Sequence, residues 1–276
     1  MRVGSLLRLV FIGLLQASPS IQTGNDNSTA PYTYPTRVLA NVTVIDTPLV
    51  RAAQTYARAH SSDVVWSHVM RGWLYGSLIL THNATLRAQV DPEVQAVAAI
   101  LHDLGWDQTP GSETVSADRR FEVDGAIAAC EFIHAHHHHS DDANATTDAV
   151  NLGDGGSDPW DESTGRTQLV WDAIALHTQD SIYMYKQPVV MVVGAGILID
   201  FAGPAHGVTR EEYDAVVAEF PKIDFVAGVN RTLVWLCRSK PATTYDTFMQ
   251  PWGDDFVANY SSIGKRAFDL ILGGSS

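Results

Sequence analysis

The chain has 276 residues, 45% of them hydrophobic and 18% charged, which is enough apolar content for one sizeable core and too much for a disordered chain. A formal net charge of −13, with only Lys186, Lys222, Lys240 and Lys265 as lysines, gives no basic field for a nucleic-acid backbone or an anionic membrane. A small-molecule partner is the expectation left standing.

Residues 1–20 have the order of a secretory signal peptide: Arg2 and Arg8, then an apolar run over 9–15, then small residues around Ala17 and Ser18. The run is too short to span a bilayer permanently, so the expected protein is secreted and free of the membrane once the leader is removed. Six Asn-x-Ser/Thr sequons, at Asn27, Asn41, Asn83, Asn144, Asn230 and Asn259, lead us to expect N-glycans on an exported chain. The two cysteines, Cys130 and Cys237, stand in apolar, helix-like surroundings and fit either one disulfide or two buried thiols.

Residues 21–46, rich in Thr, Asn, Pro and Tyr, read as an extended arm ahead of a helical domain spanning 47–276. Helical spacing predicts elements over 47–59 and 63–80, and on the second His68, Arg71 and Tyr75 fall along one stripe at i, i+3 and i+7. Asp91 and Pro92 open the next helix as cap and first residue, and Gly105 stops it. An Ala-rich helix is expected over 123–135, preceded by Arg119, Arg120 and Glu122, which are either a solvated charge cluster or pocket residues. His134 and the run His136 to His139 lead into a Ser, Asp, Asn and Gly-rich segment, so about 136–165 is expected to be a flexible insertion. Its adjacent histidines lack the rigid geometry of a catalytic centre. Order returns with helices over 167–177 and 189–201, a capping box at Thr209 and Glu212, a helix over 225–237 and a last one near 259–272. Strand-like alternation is scarce, so the fold class is all-α.

His102 and Asp103 close a helix whose Val94, Val97, Ala98 and Leu101 form an apolar stripe, so they enter the core rather than a solvated face. An unpaired carboxylate there is costly, and consecutive helical residues do not face each other, so a shared metal is the simplest reason to place both. Asp200, at the end of a nearly continuous apolar run, needs a partner for the same reason.

His68, then His102-Asp103, then Asp200 is an order that resembles the HD-domain superfamily of metal-dependent hydrolases, over roughly residues 45–240. Ser67-His68-Val69-Met70-Arg71-Gly72-Trp73, Leu101-His102-Asp103-Leu104-Gly105, Arg120-Phe121-Glu122-Val123-Asp124-Gly125-Ala126 and Trp171-Asp172-Ala173-Ile174-Ala175-Leu176-His177 look most like its cyanamide-hydratase-like branch. The resemblance implies an HD-type helical bundle holding one divalent transition metal between its helices. His68, His102, Asp103 and Asp200 are the implied ligands, with Asp172 and Asp180 as alternatives to Asp200. A nitrogen and oxygen donor set suits zinc, iron, manganese or nickel. His177 is implied as a substrate contact or proton carrier; the alternative is a helix-end histidine bonded to a carbonyl. Arg71 is implied as a second catalytic residue. The expected activity is addition of water to a small molecule, as a hydratase or hydrolase. Two alternatives stand beside it: a phosphohydrolase using Arg71, Arg119 and Arg120 to hold phosphate, and a non-catalytic glycoprotein with a structural metal.

Overall fold

A computed structural model describes residues 34–138 and 159–273. The expected leader, most of the N-terminal arm, the sequons Asn27 and Asn144 and residues 139–158 of the insertion lie outside them. Twelve helices and one two-stranded sheet make up the described residues, so the fold is all-α.

The end of the expected arm is a hairpin, with β1 (Thr36–Leu39) antiparallel to β2 (Val42–Ile45) and Thr36 opposite Ile45. Ala40 and Asn41 turn it with φ of 50° and 62°, the left-handed geometry that a two-residue hairpin demands. Val42 and Val44 alternate inward onto the core, a period-two signal too short to stand out in the sequence.

Helices α1 (Pro48–Ala59), capped by Thr47, and α2 (Asp63–His82), capped by Ser62, follow as expected. After α3 (Ala84–Arg87), Asp91 caps α4 (Pro92–Leu101) by accepting from the amides of Glu93 and Val94. Every residue of α4 after Pro92 is buried, and each buried Val, Ile or Leu contributes about 1.5–3 kcal/mol. A 3-10 turn, Leu104–Trp106, then leads towards α5 (Phe121–His138). That helix carries the backbone of the histidine run as far as His138, so the insertion begins later than its composition indicates.

On the far side of the insertion come α6 (Arg166–Leu176), α7 (Asp180–Tyr183), α8 (Pro188–Ala202), α9 (Arg210–Glu219) and α10 (Phe225–Ser239). Both halves of the capping box at Thr209 and Glu212 form. The tail holds α11 (Gln250–Phe256) and α12 (Ala267–Gly273), two short helices in place of the single longer one expected. Cys130 and Cys237 are free thiols rather than a disulfide.

The core is built on the crossing of α2 and α8, where a Cβ on Gly196 would stand 2.7 Å from the Gly72 carbonyl and the Gly76 amide. Glycine on both helices therefore lets the two backbones touch. The helices run antiparallel, because Asp200, one turn beyond Gly196, lies beside Arg71 and beside His68, which is one turn before Gly72. Helices α4 and α6 pack against this pair, with α5 on the far side of α6, and the ends of α4 and α6 come to the same point in the interior. No helix among the described residues is long and apolar enough to cross a membrane.

Candidate metal centre

His68, His102 and Asp103 are buried, and one ligand atom from each lies within 4.8 Å of the others. The local backbone explains how neighbours in sequence converge. Helix α4 stops at Leu101, and Asp103 leaves helical geometry with φ −103° and ψ 20°, which swings its carboxylate back towards the imidazole before it. His102 Nε2 is 3.2 Å from Asp103 Oδ2, and His68 Nε2 is 3.6 Å from the same oxygen. Gly105 holds this turn against α5: a Cβ there would meet the Phe121 carbonyl oxygen at 2.1 Å.

Each imidazole has its Nδ1 committed elsewhere. His102 Nδ1 lies 2.8 Å from the Ala99 carbonyl and His177 Nδ1 lies 2.7 Å from the Ile174 carbonyl. A carbonyl only accepts, so both Nδ1 atoms carry the proton and both Nε2 atoms present a lone pair when the ring is neutral. His68 Nδ1 sits 2.7 Å from Asp200 Oδ2, and its Nε2 is left facing Asp103 in the same way. Asp103, for its part, has no hydrogen bond to either carboxylate oxygen, and His102 Nε2 has none either. The 3.2 Å approach between those two is an ion-pair contact without hydrogen-bond alignment. A buried carboxylate faced by imidazole lone pairs calls for positive charge among them. His102 shows that demand. Burial alone pulls its pKa down, yet the Asp103 carboxylate outweighs burial and holds it above the ordinary imidazole value. Burial acts on Asp103 in the opposite sense and is outweighed by His102, His68 and His177, so its carboxyl lies below the usual range.

Asp200 does not join the cluster, which corrects its expected role as a ligand. Its carboxylate receives His68 Nδ1, the Arg71 fork at 2.7 and 2.8 Å, and Lys222 Nζ at 3.0 Å. Burial resists its ionisation, but the bonds from His68 and Arg71 prevail and hold the carboxyl far below its ordinary value. It is a positioning group for His68. Asp172 pairs with Lys186 at 2.5 Å and Asp180 is exposed, so neither alternative replaces it.

Arg71 is corrected as well. It is completely buried, and the donors its Asp200 fork leaves over reach the carbonyls of Phe220 and Pro221, so it faces no substrate space. The undecided charges before α5 prove to be partnered: Arg119 bonds Asp124, which also holds buried Lys240 at 2.6 Å, and Arg120 pairs with Glu122. Glu122 is fully buried and accepts from Thr178 Oγ1 at 2.7 Å.

His177 faces the cluster, with Nε2 3.9 Å from Asp103 Oδ1 and its ring edge-on to His102 at 4.8 Å between centroids. The carbonyl bond expected of a helix-end histidine is present at Nδ1, and it leaves Nε2 turned towards Asp103. Its basicity differs from expectation. Burial first, and then neighbouring His102, push its pKa down to about 4, so the ring stays neutral through the physiological range. Aromatic rings wall these histidines: Trp106, Phe201 and Phe225 against His68, and Phe121 against His177. Trp106 is the neighbour that sequence patterning does not single out, and Glu122, left open there between a solvated cluster and a pocket residue, is buried.

No model of a known protein family matches the chain, and no curated protein does.

Proposed function

We propose that the chain is a metal-dependent enzyme of the HD-domain type that adds water to a small, neutral or weakly charged molecule. The observation that carries this reading is the set of orphaned atoms: two carboxylate oxygens of Asp103 and the His102 Nε2, all buried and without hydrogen bonds, with the His68 Nε2 beside them. They fit a divalent transition metal by donor type, and His68, His102 and Asp103 are the residues that would hold it. When bound, such a metal supplies an activated water and polarises the electrophilic atom of the substrate.

This chain's own side chains do the rest. Asp200 and the two carbonyls occupy Nδ1 of His68, His102 and His177, so three Nε2 atoms point inward, each with a lone pair once its ring is neutral. His177, held neutral, accepts a hydrogen bond from water or substrate in that space. The aromatic wall excludes bulk water and selects small, uncharged partners. The phosphoester reading is weakened by the guanidinium groups, since Arg71, Arg119 and Arg120 already serve Asp200, Asp124 and Glu122. Three protein ligands also leave open positions, whereas a purely structural site is closed. We further propose export, for which the leader-like start and the exposed turn positions of the sequons Asn41 and Asn259 speak; a glycosidase-sensitive mass on secreted protein checks it.

The deciding experiment is elemental analysis of purified protein joined to assays on cyanamide, simple nitriles and nucleoside monophosphates. The expected result is a stoichiometric divalent metal and turnover of a neutral substrate. Protein that retains no metal after loading and dialysis sinks the reading, and turnover of the monophosphates alone hands it to the phosphohydrolase alternative.

A further inference from the structure

Trp106 is 6% exposed, and its indole Nε1 is buried with no acceptor in reach. A buried N–H left without a partner costs about 1–3 kcal/mol, and an apolar ring of similar shape would avoid that cost. Other unpartnered donors exist among the described residues, but they stand elsewhere: Tyr75, for example, stacks on Tyr213 at 5.1 Å, behind the Arg71 and Asp200 pair. Trp106 alone among them touches the metal-ligand histidines. Its ring lies nearly parallel to His68, 20° between planes and 6.3 Å between centroids, and it leans on Phe121, which in turn meets His177.

The position of that indole is built in from two sides. The Trp106 amide donates to the Asp103 carbonyl at 2.8 Å, tying the residue to the carboxylate it follows by three positions. Gly105 presses the same turn onto the Phe121 backbone, and the Phe121 ring packs against the indole. The wall that joins His68 to His177 thus contains a single polar atom, a donor.

We infer that Trp106 Nε1 donates a hydrogen bond to the terminal acceptor atom of the ligand that enters beside His68, whether a small anion or the nitrogen or oxygen end of a small neutral substrate. The proposal rests on the metal-site reading above. It assigns the wall a recognition role: a ligand carrying an acceptor satisfies the indole, and an apolar one of the same size leaves it orphaned.

Azide, a small linear anion with acceptor ends, serves as the probe, with the cobalt(II)-loaded full chain and its visible absorption as the readout. Trp106→Phe removes the donor, and Trp106→benzothienylalanine replaces the N–H by sulfur while keeping the bicyclic shape, which separates loss of the donor from loss of packing. Both variants are expected to hold cobalt as the wild type does and to bind azide about ten- to a hundred-fold more weakly, the worth of a hydrogen bond to a charged group. In the zinc-loaded wild type, the indole proton signal that the benzothienylalanine variant lacks should move downfield as azide is added. Unchanged azide affinity in a cobalt-loaded variant, or an indole signal indifferent to azide, overturns this inference and leaves the metal site standing. A wild-type chain that takes up no cobalt overturns both.

Discussion

Two buried aspartates on either side of His68 have opposite surroundings. Asp200 is saturated by the protein, with an imidazole, a guanidinium fork and an ammonium around one carboxylate. Asp103 is as deeply buried, and its carboxylate receives no hydrogen bond. The first is a finished structural joint, whose charge is cancelled inside the chain. The second is finished only when something positive is supplied. Burial alone therefore does not tell a ligand from a scaffold residue; what distinguishes them is whether the fold has already answered the charge.

The contrast breaks most sharply at Asp103. Asp103→Ala or His102→Ala is expected to abolish metal retention, read as metal per chain by elemental analysis, and wild-type occupancy in either would dissolve the distinction. Acid should reproduce the loss reversibly. Protons compete with the metal for the imidazoles, and His102, which Asp103 holds above the ordinary imidazole value, takes up its proton early, so retention falls as the pH drops.

Asp200→Asn should act on the fold before it acts on the metal. It leaves Arg71 and Lys222 without their counter-charge, at an expected cost of about 3–5 kcal/mol in urea unfolding. A folded fraction should still bind metal, about 10–100-fold more weakly, because His68 has lost its tether. Total metal loss in folded Asp200→Asn would make Asp200 a ligand after all. The same residue sets a second acid limit. A carboxyl held below its unfolded value contributes stability that is complete above about pH 4 and is lost as the pH falls further. Metal release and acid unfolding should therefore be separate steps, release coming first on acidification, as followed by metal content and by circular dichroism.

The smallest expected effect is at His177. A ring that burial keeps neutral acts as an acceptor rather than a proton carrier, so His177→Ala should retain metal and lose about ten- to a hundred-fold in turnover of the accepted substrate. His177→Gln, which can accept without titrating, should recover most of that loss. A failure of Gln to help, with metal retained, would return His177 to proton transfer.

Much of this was legible in the chain because helices announce themselves over many residues. The cap at Asp91, the capping box at Thr209 and Glu212 and the apolar run ending at Asp200 all became the elements their patterns imply. His68, His102 and Asp103 came together because burial of polar residues is visible as polar interruptions in apolar helices. The hairpin at residues 36–45 was not legible, since two four-residue strands carry too few alternations to register. Nor were the roles of Asp200 and Arg71. Sequence shows that a buried acid needs a partner, but the choice between a metal and a guanidinium depends on how α2 and α8 cross, which rests on contacts 129 residues apart along the chain. Trp106 was hidden for a different reason, because an indole in an apolar stretch looks like packing until its N–H is found without an acceptor.

Helices α4 and α6 end in the same way, with Leu-His, and each imidazole bonds the carbonyl three residues earlier. The orientation of both rings is thus a local property of a helix end, settled when the helix forms and independent of whether a ligand is present. For an ion held at the cluster, the His102 ring would have little side-chain freedom left to lose, so that share of the ordering entropy would already have been spent during folding. Of the three residues that would hold such an ion, His102 would meet it already turned by its own helix end, and the Asp103 carboxylate would be the one left to settle.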